Sequence, residues 1–275
     1  MSDTRPEGLQ NIKHIVAIAS GKGGVGKSTT TVNVALAMAK VGFKVGVLDA
    51  DIYGPSQGLM LGIAEGSHPE TMEEKWFVPI QAHGVSVMSM AFLVDANSPM
   101  VWRGPMAAGA LQQMLLQTNW GELDYLFVDM PPGTGDIQLT LCQKAQVSGA
   151  VIVTTPQDLA LLDARKGIEM FNKVKVPVLG IVENMSTHVC SQCNHEEAIF
   201  GAGGGDTLAQ EYGTDLLASL PLSMAIRVLV DGGTPTVVAD PQSAAAHTYG
   251  KLAHALVSKL DATSQSMPSI SIDED

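Results

Sequence analysis

Short apolar runs alternate with longer amphipathic stretches along most of the chain. The runs have the length of buried strands, and the stretches between them have the length of helices. The predicted strands are Ile12–Ser20, Lys44–Asp49, Asp124–Met130, Gly149–Thr154 and Pro177–Glu183, and the predicted helices are Ser28–Val41, Gly104–Gln117, Asp136–Ala145 and Leu159–Val174. Because such alternation produces right-handed parallel crossovers, it predicts an α/β fold with a doubly wound, mostly parallel sheet flanked by helices.

Two regions depart from this alternation, and a further helix is predicted beyond them. Glu65–Val94 contains two short β-like runs, Trp76–Ile80 and Val85–Met90, and is predicted to form an inserted hairpin. His188–Gly205 contains two close cysteines and a cluster of glycines, which predicts a loop. Asp240–Leu260 is predicted to be helical.

The length and composition are consistent with one large domain. The chain has 275 residues, of which 45% are apolar and 16% are charged, a balance that suits a well-buried core. We predict a flexible N-terminus at residues 1–11, a single domain at 12–260 and a disordered acidic tail at 261–275.

The net charge and the number of cysteines indicate which partners and which cellular compartment to expect. The net charge of −12 opposes binding to nucleic acid, whose affinity for proteins depends largely on Lys and Arg. No apolar run approaches the roughly 20 residues needed to cross a bilayer, and the N-terminus lacks an apolar signal core. Three cysteines are too few for a disulfide scaffold. We therefore expect a cytoplasmic protein with no nucleic-acid partner and no membrane partner.

A phosphate-binding loop is predicted between the first strand and the first helix. Gly21–Ser28 reads G-K-G-G-V-G-K-S and fits the pattern G-x-x-x-x-G-K-[ST]. Glycines let successive backbone N–H groups point at phosphate oxygens, and the start of the helix adds its positive end. Lys27 is expected to reach the β- and γ-phosphates, and the Ser28 hydroxyl to bind Mg²⁺. The residues predicted to bind nucleotide here are Gly21, Lys22, Gly23, Gly24, Val25, Gly26, Lys27, Ser28 and Thr29.

The same loop also fits the dinucleotide-binding pattern G-x-G-x-x-G. Asp49 stands at the end of the second strand, where that fold has an acid that binds the ribose. Lys27 followed by two hydroxyl residues favours the phosphate loop of an NTPase, since a dinucleotide loop has no use for them.

Acidic residues at other strand ends support a nucleotide site. Asp129 ends an apolar strand, as expected of a carboxylate near Mg²⁺. Asp49 and Asp51 close the second strand at the edge of the sheet where ligands collect, so one could orient the attacking water while the other supports the metal. Asn184 is followed by Met-Ser-Thr rather than by the pattern that recognises guanine, which favours ATP over GTP.

Cys190 and Cys193 have the spacing of two thiolates that bind one metal centre. Two are too few for a [4Fe–4S] cluster, which usually takes four, but a two-fold dimer would supply four. Four thiolates would equally hold zinc, and His188 and His195 make a zinc site within one chain conceivable. The residues alone leave zinc and iron–sulfur open. Cys142 is expected to be a buried small hydrophobe.

Lys22, the second residue of the loop, has no role in an ordinary phosphate loop and resembles the signature lysine of the "deviant Walker A" ATPases. That group includes the MinD and ParA positioning ATPases and the Mrp/ApbC iron–sulfur cluster carriers. The resemblance to the carriers covers about residues 12–260 and rests on Asp49–Ser56, Trp102–Met106, Asp129–Asp136, Val182–Ser186, Cys190–Cys193, Ile199–Gly201 and Leu220–Leu222.

This resemblance implies a role for several residues. Lys22 would reach the nucleotide of a partner protomer, Asp51 would position water and Asn184 would contact adenine. The family is an ATPase that uses ATP and Mg²⁺ and carries a cluster, here expected to be [4Fe–4S], between two copies of the chain. Its implied partners are a second copy, an assembly scaffold and apo iron–sulfur proteins. The alternatives are a positioning ATPase and an ATPase with a structural zinc site.

Overall fold

The computed structural model describes residues 5–93, 104–190, 192–193 and 195–265. Several predictions concern residues outside these ranges: the flexibility of residues 1–4, the motif residues Trp102 and Arg103, and the disorder of residues 266–275.

The described residues contain twelve strands. These are β1 (Ile12–Ala19), β2 (Val45–Asp49), β3 (Glu70–Met72), β4 (Trp76–Val78), β5 (Ile80–Ala82), β6 (Val85–Ser89), β7 (Leu123–Asp129), β8 (Gly149–Thr154), β9 (Val178–Glu183), β10 (His188–Val189), β11 (Glu196–Glu197) and β12 (Leu216–Ser219).

Nine α-helices occur in the same part of the chain, together with 3₁₀ turns at Glu7–Leu9 and Met90–Leu93. The helices are α1 (Lys27–Lys40), α2 (Gln57–Met60), α3 (Gly104–Gln117), α4 (Asp136–Ala145), α5 (Asp158–Lys173), α6 (Gly204–Tyr212), α7 (Met224–Asp231), α8 (Thr236–Ala239) and α9 (Ala244–Gln265).

Eight strands form one sheet in the order β12-β9-β8-β1-β7-β2-β6-β5. Every neighbouring pair is parallel except β5 and β6, which form an antiparallel hairpin at one edge. All residues of β2 and β8 are buried, so both faces of the sheet are covered. The helices pack in groups, α1 with α8 and α9, α5 with α6, and α2 with α7. This architecture confirms the predicted fold class.

The parallel arrangement determines where a ligand can bind. The carboxyl ends of parallel strands lie at one edge of the sheet, and β1 lies between β7 and β8 at its centre. The loops that follow β1, β2, β7 and β9 therefore lie near one another, as ligand-binding loops do in open α/β sheets.

The prediction of an inserted hairpin over Glu65–Val94 is wrong in part. The second run, β6, is a parallel strand of the main sheet beside β2, and the first run divides between β4 and β5. β3 and β4 form a separate antiparallel pair. Short apolar runs do not reveal whether they pair with each other or with a distant strand, because that choice is made by tertiary packing.

The predicted boundaries also need correction at three other places. Leu9, within the N-terminus predicted to be flexible, is fully buried as the last residue of the 3₁₀ turn Glu7–Leu9. α9 continues through Gln265, five residues into the predicted tail. The loop predicted at His188–Gly205 contains the paired strands β10 and β11, and α6 begins before it ends. None of the described helices is long and apolar enough to cross a bilayer.

Candidate functional site

The phosphate loop lies between the end of β1 and the start of α1. Gly24 and Gly26 have φ values of 83° and 85°, in the left-handed region that favours glycine. A Cβ on Gly21 would lie 2.1 Å from the carbonyl oxygen of Asp163 on α5, and one on Gly26 would lie 2.0 Å from Asn184 Nδ2. Backbone conformation and close packing thus explain Gly21, Gly24 and Gly26 before any ligand is considered, whereas Gly23 meets neither constraint within the chain.

The charged residues predicted for nucleotide chemistry meet at the start of α1. The Nζ atom of Lys27 lies 2.6 Å from Asp129 Oδ1, 3.2 Å from Ser28 Oγ and 3.9 Å from Asp51 Oδ2. Lys27 is only 6% exposed and Asp129 is fully buried. The predicted residues therefore form one cluster, while their individual roles remain predictions.

Asp49 lies beside Asp129 in the register of β2 and β7 and is also fully buried. Its Oδ2 atom accepts hydrogen bonds from the backbone N–H groups of Ser56 (2.8 Å) and Gln57 (2.9 Å) and from the Ser89 hydroxyl (3.0 Å). Burial, followed by repulsion from Asp129, raises the pKa of Asp49 to about 7. Asp49 therefore anchors the loop that follows β2.

Asp51 lies within that loop and is the better placed of the two acids to meet a ligand. Its side chain is partly exposed, and its Oδ1 atom accepts a hydrogen bond from the Gly54 N–H at 3.3 Å. Since the Asp49 carboxylate is already bonded within the loop, Asp51 is the one of the two with an accessible side chain, and its role in positioning water remains a prediction.

Two further predicted residues flank the loop. Asn184 follows β9, and its Nδ2 atom donates to the carbonyl of Val25 at 2.9 Å, so it touches the phosphate loop itself. Its contact with adenine remains a prediction. Lys22 is half-buried, and no ion-pair partner for its ammonium group occurs among the described residues.

The two cysteines lie at the tip of a short hairpin formed by β10 and β11. The Cys190 N–H donates to the carbonyl of His195 at 2.9 Å and closes the hairpin. Cys190 is half-buried and Cys193 is exposed. Backbone N–H groups of Gln192 and Cys193 donate to the Cys190 sulfur and lower its pKa, because hydrogen bonds of this kind stabilise the thiolate. The thiolate is the form that binds metal.

The base of the hairpin is held by the segment that follows β12. The Leu222 N–H donates to the Thr187 carbonyl at 2.8 Å, and His188 Nδ1 lies 3.2 Å from the Leu222 carbonyl, to which it donates. Within the described ranges, no three His, Cys, Asp or Glu side chains gather as metal ligands. The described hairpin of one chain thus offers two sulfur ligands, and the hydrogen bond of His188 Nδ1 leaves Nε2 as the only ring nitrogen of that residue with a lone pair for a metal.

Comparison with known families shows which family the chain belongs to. Residues 11–257 match the model of the NUBPL iron-transfer P-loop NTPases, a ParA-type family. The chain belongs to this family.

Relatives with curated names and a solved structure agree. The chain is 68% identical over 246 residues to an "iron-sulfur cluster carrier protein" of Pseudomonas fragi, an alignment that covers 90% of this chain and 86% of the relative. A protein of the same name from Escherichia coli is 56% identical over 253 residues, with 92% and 68% covered. An Archaeoglobus fulgidus nucleotide-binding protein solved with ADP is 40% identical with a TM-score of 0.73, and 82% of this chain and 89% of that chain are covered.

Magnesium, which a P-loop NTPase uses with its nucleotide, fits the residues present. Ser28, Asp51 and Asp129 supply the hard oxygen atoms that Mg²⁺ prefers. Among the described residues, Asp49 and Asp129 together face one buried ammonium group, that of Lys27, so the cluster is short of positive charge. Bound magnesium would supply that charge and neutralise phosphate oxygens.

Sequence reasoning missed Thr31 and Gln57. The Thr31 hydroxyl donates to Asp129 Oδ1 at 3.1 Å, and Gln57 Nε2 donates to Asp129 Oδ2 at 2.9 Å. Gln57 directly follows the quoted motif Asp49–Ser56, which was the available signal. Thr31 lies one helical turn after Lys27 and therefore faces the same way.

Cys142 is set apart from the cysteine pair. It is 2% exposed in α4, and burial raises the pKa of its thiol to about 12. The prediction that it serves as a small buried hydrophobe is confirmed.

Proposed function

We propose that this protein is an ATP-dependent iron–sulfur cluster carrier of the cytoplasm. Two copies of the chain, held together with ATP and Mg²⁺, bind a [4Fe–4S] cluster between them. The dimer receives the cluster from an assembly scaffold and delivers it to apo iron–sulfur proteins. The observation that carries this proposal is the pair of accessible thiols at the hairpin tip, close along the chain to a residue that touches the phosphate loop.

Ligand number supports a shared cluster. A [4Fe–4S] cluster usually takes four thiolates, and each chain offers the pair Cys190 and Cys193. A two-fold axis passing near the hairpin would bring two pairs together. A cluster held at an exposed tip by two separable halves is suited to release, whereas a resident redox centre is normally buried within one chain.

The nucleotide site supplies the control. Lys27 and the backbone of the phosphate loop bind the phosphates, while Ser28 and Asp129 hold magnesium. Asp51 orients the attacking water, and Lys22 reaches the nucleotide of the second copy. Hydrolysis separates or resets the dimer, so a slow rate is sufficient.

The names of the curated relatives favour a carrier over a positioning ATPase. The net charge of −12 is also unfavourable for an ATPase that works on DNA or an anionic membrane.

Anaerobic reconstitution with ferrous iron and sulfide tests the proposal. We expect the wild-type protein to form a brown dimer with about four irons and four sulfides per two chains. Cys190→Ala and Cys193→Ala should each abolish the cluster and still bind nucleotide, and Cys142→Ala serves as the control that retains it. An undiminished cluster in either variant of the pair would reject the proposal. Stoichiometric zinc in freshly purified protein, with no iron uptake, would favour the zinc-stapled ATPase instead.

A further inference from the structure

The side chain of Gln57 is fully buried at the start of α2, and only one half of its amide has partners. Its Nε2 atom donates to Asp129 Oδ2 at 2.9 Å and to the Ser28 carbonyl at 3.0 Å. Its Oε1 atom is buried without a hydrogen-bond partner in the described structure. A buried acceptor left without a donor is costly, so it marks a place where a donor is expected to bind.

The orientation of this amide is fixed by its neighbours. Exchanging the oxygen and nitrogen would place the amide oxygen against the Asp129 carboxylate and the Ser28 carbonyl, both of which are acceptors. Nε2 must therefore face Asp129, and Oε1 must be the atom without a partner.

The contacts of Asp129 show what the amide can do. Oδ1 accepts from the Lys27 ammonium and the Thr31 hydroxyl, whereas Oδ2 accepts from Gln57. In a P-loop NTPase the lysine binds the β- and γ-phosphates. Lys27 would then share its N–H donors with the phosphates and weaken its contact with Asp129, and magnesium would take over as the cation beside the carboxylate.

We propose that Gln57 is a positioning residue that holds the Asp129 carboxylate in place while its cationic partner changes from Lys27 to magnesium, with Oε1 accepting a hydrogen bond from the water shell of the metal. This inference rests on the nucleotide site of the proposed function. It assigns magnesium affinity to a residue outside the phosphate loop and the strand-end acids.

The backbone of Gln57 adds a second connection. Its N–H donates to Asp49 Oδ2 at 2.9 Å, so the same residue contacts both buried strand-end carboxylates. The loop that contains Asp51 lies between these contacts and β2. Gln57 therefore links the order of this loop to the position of Asp129.

Substitution of Gln57 by Met tests the inference, because Met has a similar volume and no amide. A fluorescent N-methylanthraniloyl ADP is titrated against the full-length protein in EDTA and then at increasing Mg²⁺ concentration. We expect the Mg²⁺ concentration at half-maximal effect to rise about tenfold, as for loss of a hydrogen bond to a charged group, while affinity in EDTA changes by less than about twofold. A purely structural role would weaken both equally.

Asn33→Leu is the matched control. Asn33, on α1, also has a fully buried side-chain amide. This amide donates to the Thr29 carbonyl and accepts from the Val237 N–H, and it makes no hydrogen bond to Asp129. We expect this variant to lose stability, with its Mg²⁺ midpoint unchanged.

Gln57→Asn provides a second route if the Met variant does not fold, since it keeps an amide that is one methylene too short for both acceptors. A folded Gln57 variant with the wild-type Mg²⁺ midpoint would overturn this inference alone. Failure of the wild-type protein to bind the nucleotide would overturn the proposed nucleotide site, and this inference with it.

Discussion

The nucleotide site and the cysteine hairpin belong to one chain but are built in opposite ways. The nucleotide cluster is buried, and Lys27, Asp49 and Asp129 all have partners within the chain. The hairpin presents Cys190 and Cys193 at the surface with two sulfur ligands. One site is assembled before its ligand arrives, and in the proposed dimer the other is half of a site.

The difference follows from the cost of burial. A buried ion must be paired within the fold, because an uncompensated charge is expensive in the interior. An exposed thiolate is solvated and needs no partner in the folded chain. A single protomer can therefore be stable with its metal-binding residues incomplete, and completion can be left to a second copy.

The largest expected effect is the difference in alkylation rate between the buried thiol of Cys142 and the accessible thiols of Cys190 and Cys193. At pH 7.5 and without cluster, iodoacetamide should label two thiols per chain, and Cys142 should react at least roughly a thousandfold more slowly because its raised pKa leaves little thiolate. Mass spectrometry of peptides over time gives the three rates. Denaturant should make the third thiol reactive, and a Cys142 that is labelled as fast as the pair in the native protein would contradict this contrast.

Replacing each lysine of the phosphate loop by alanine distinguishes two roles, binding of the nucleotide within one chain and action on the nucleotide of a second copy. Lys27→Ala should weaken ATP binding about a hundredfold, since it removes charge-assisted contacts to phosphate. Lys22→Ala should leave affinity within about twofold and slow hydrolysis or cluster release. Calorimetry and phosphate release measure the two effects. Normal hydrolysis and cluster release in Lys22→Ala would show that this lysine does not act in trans.

The pH dependence of the free energy of unfolding tests whether Asp49 is protonated in the buried cluster. The pKa of Asp49 is raised to about 7 in the folded protein, so the folded state retains this proton at pH values where the unfolded chain has lost it. The contribution of Asp49 to the free energy of unfolding is therefore highest below about pH 4, falls as pH rises towards 7 and is constant above that.

Urea unfolding without nucleotide or Mg²⁺ measures this dependence against Asp49→Asn. Between pH 5 and pH 7.5 the wild type should lose roughly 2 kcal/mol relative to the variant. Cys193→Ala, at the exposed hairpin, should follow the wild-type curve. A constant difference between wild type and Asp49→Asn would mean that Asp49 is ionised throughout this range.

Much of the site could be predicted because its information is local. Gly21–Ser28 combines residue types that are recognisable in a row, and three of its four glycines, Gly21, Gly24 and Gly26, are required by backbone angles or contacts seen in the structure. The central strands are long apolar runs, which have little alternative to a buried sheet. The spacing of Cys190 and Cys193 likewise indicated a shared ligand.

The features that escaped prediction depend on distant parts of the chain. Gln57 reaches Asp129 only because β2 and β7 are neighbours and the loop after β2 returns to Asp49. The pairing of β6 with β2, and the position of β12 at the sheet edge, are chosen by tertiary contacts between short segments. These long-range contacts and strand pairings cannot be predicted from any short stretch of the sequence.

The anchoring of the hairpin by Leu222 has a mechanical consequence. Leu222 is hydrogen-bonded to Thr187 and His188 at the base of the hairpin, and α7 begins two residues later. α7 in turn rests on α2, whose first residue is Gln57. The cysteine hairpin and the buried cluster around Asp129 are thus connected through α7 and α2, so a displacement of α2 would be passed to the base of the hairpin through continuous contacts.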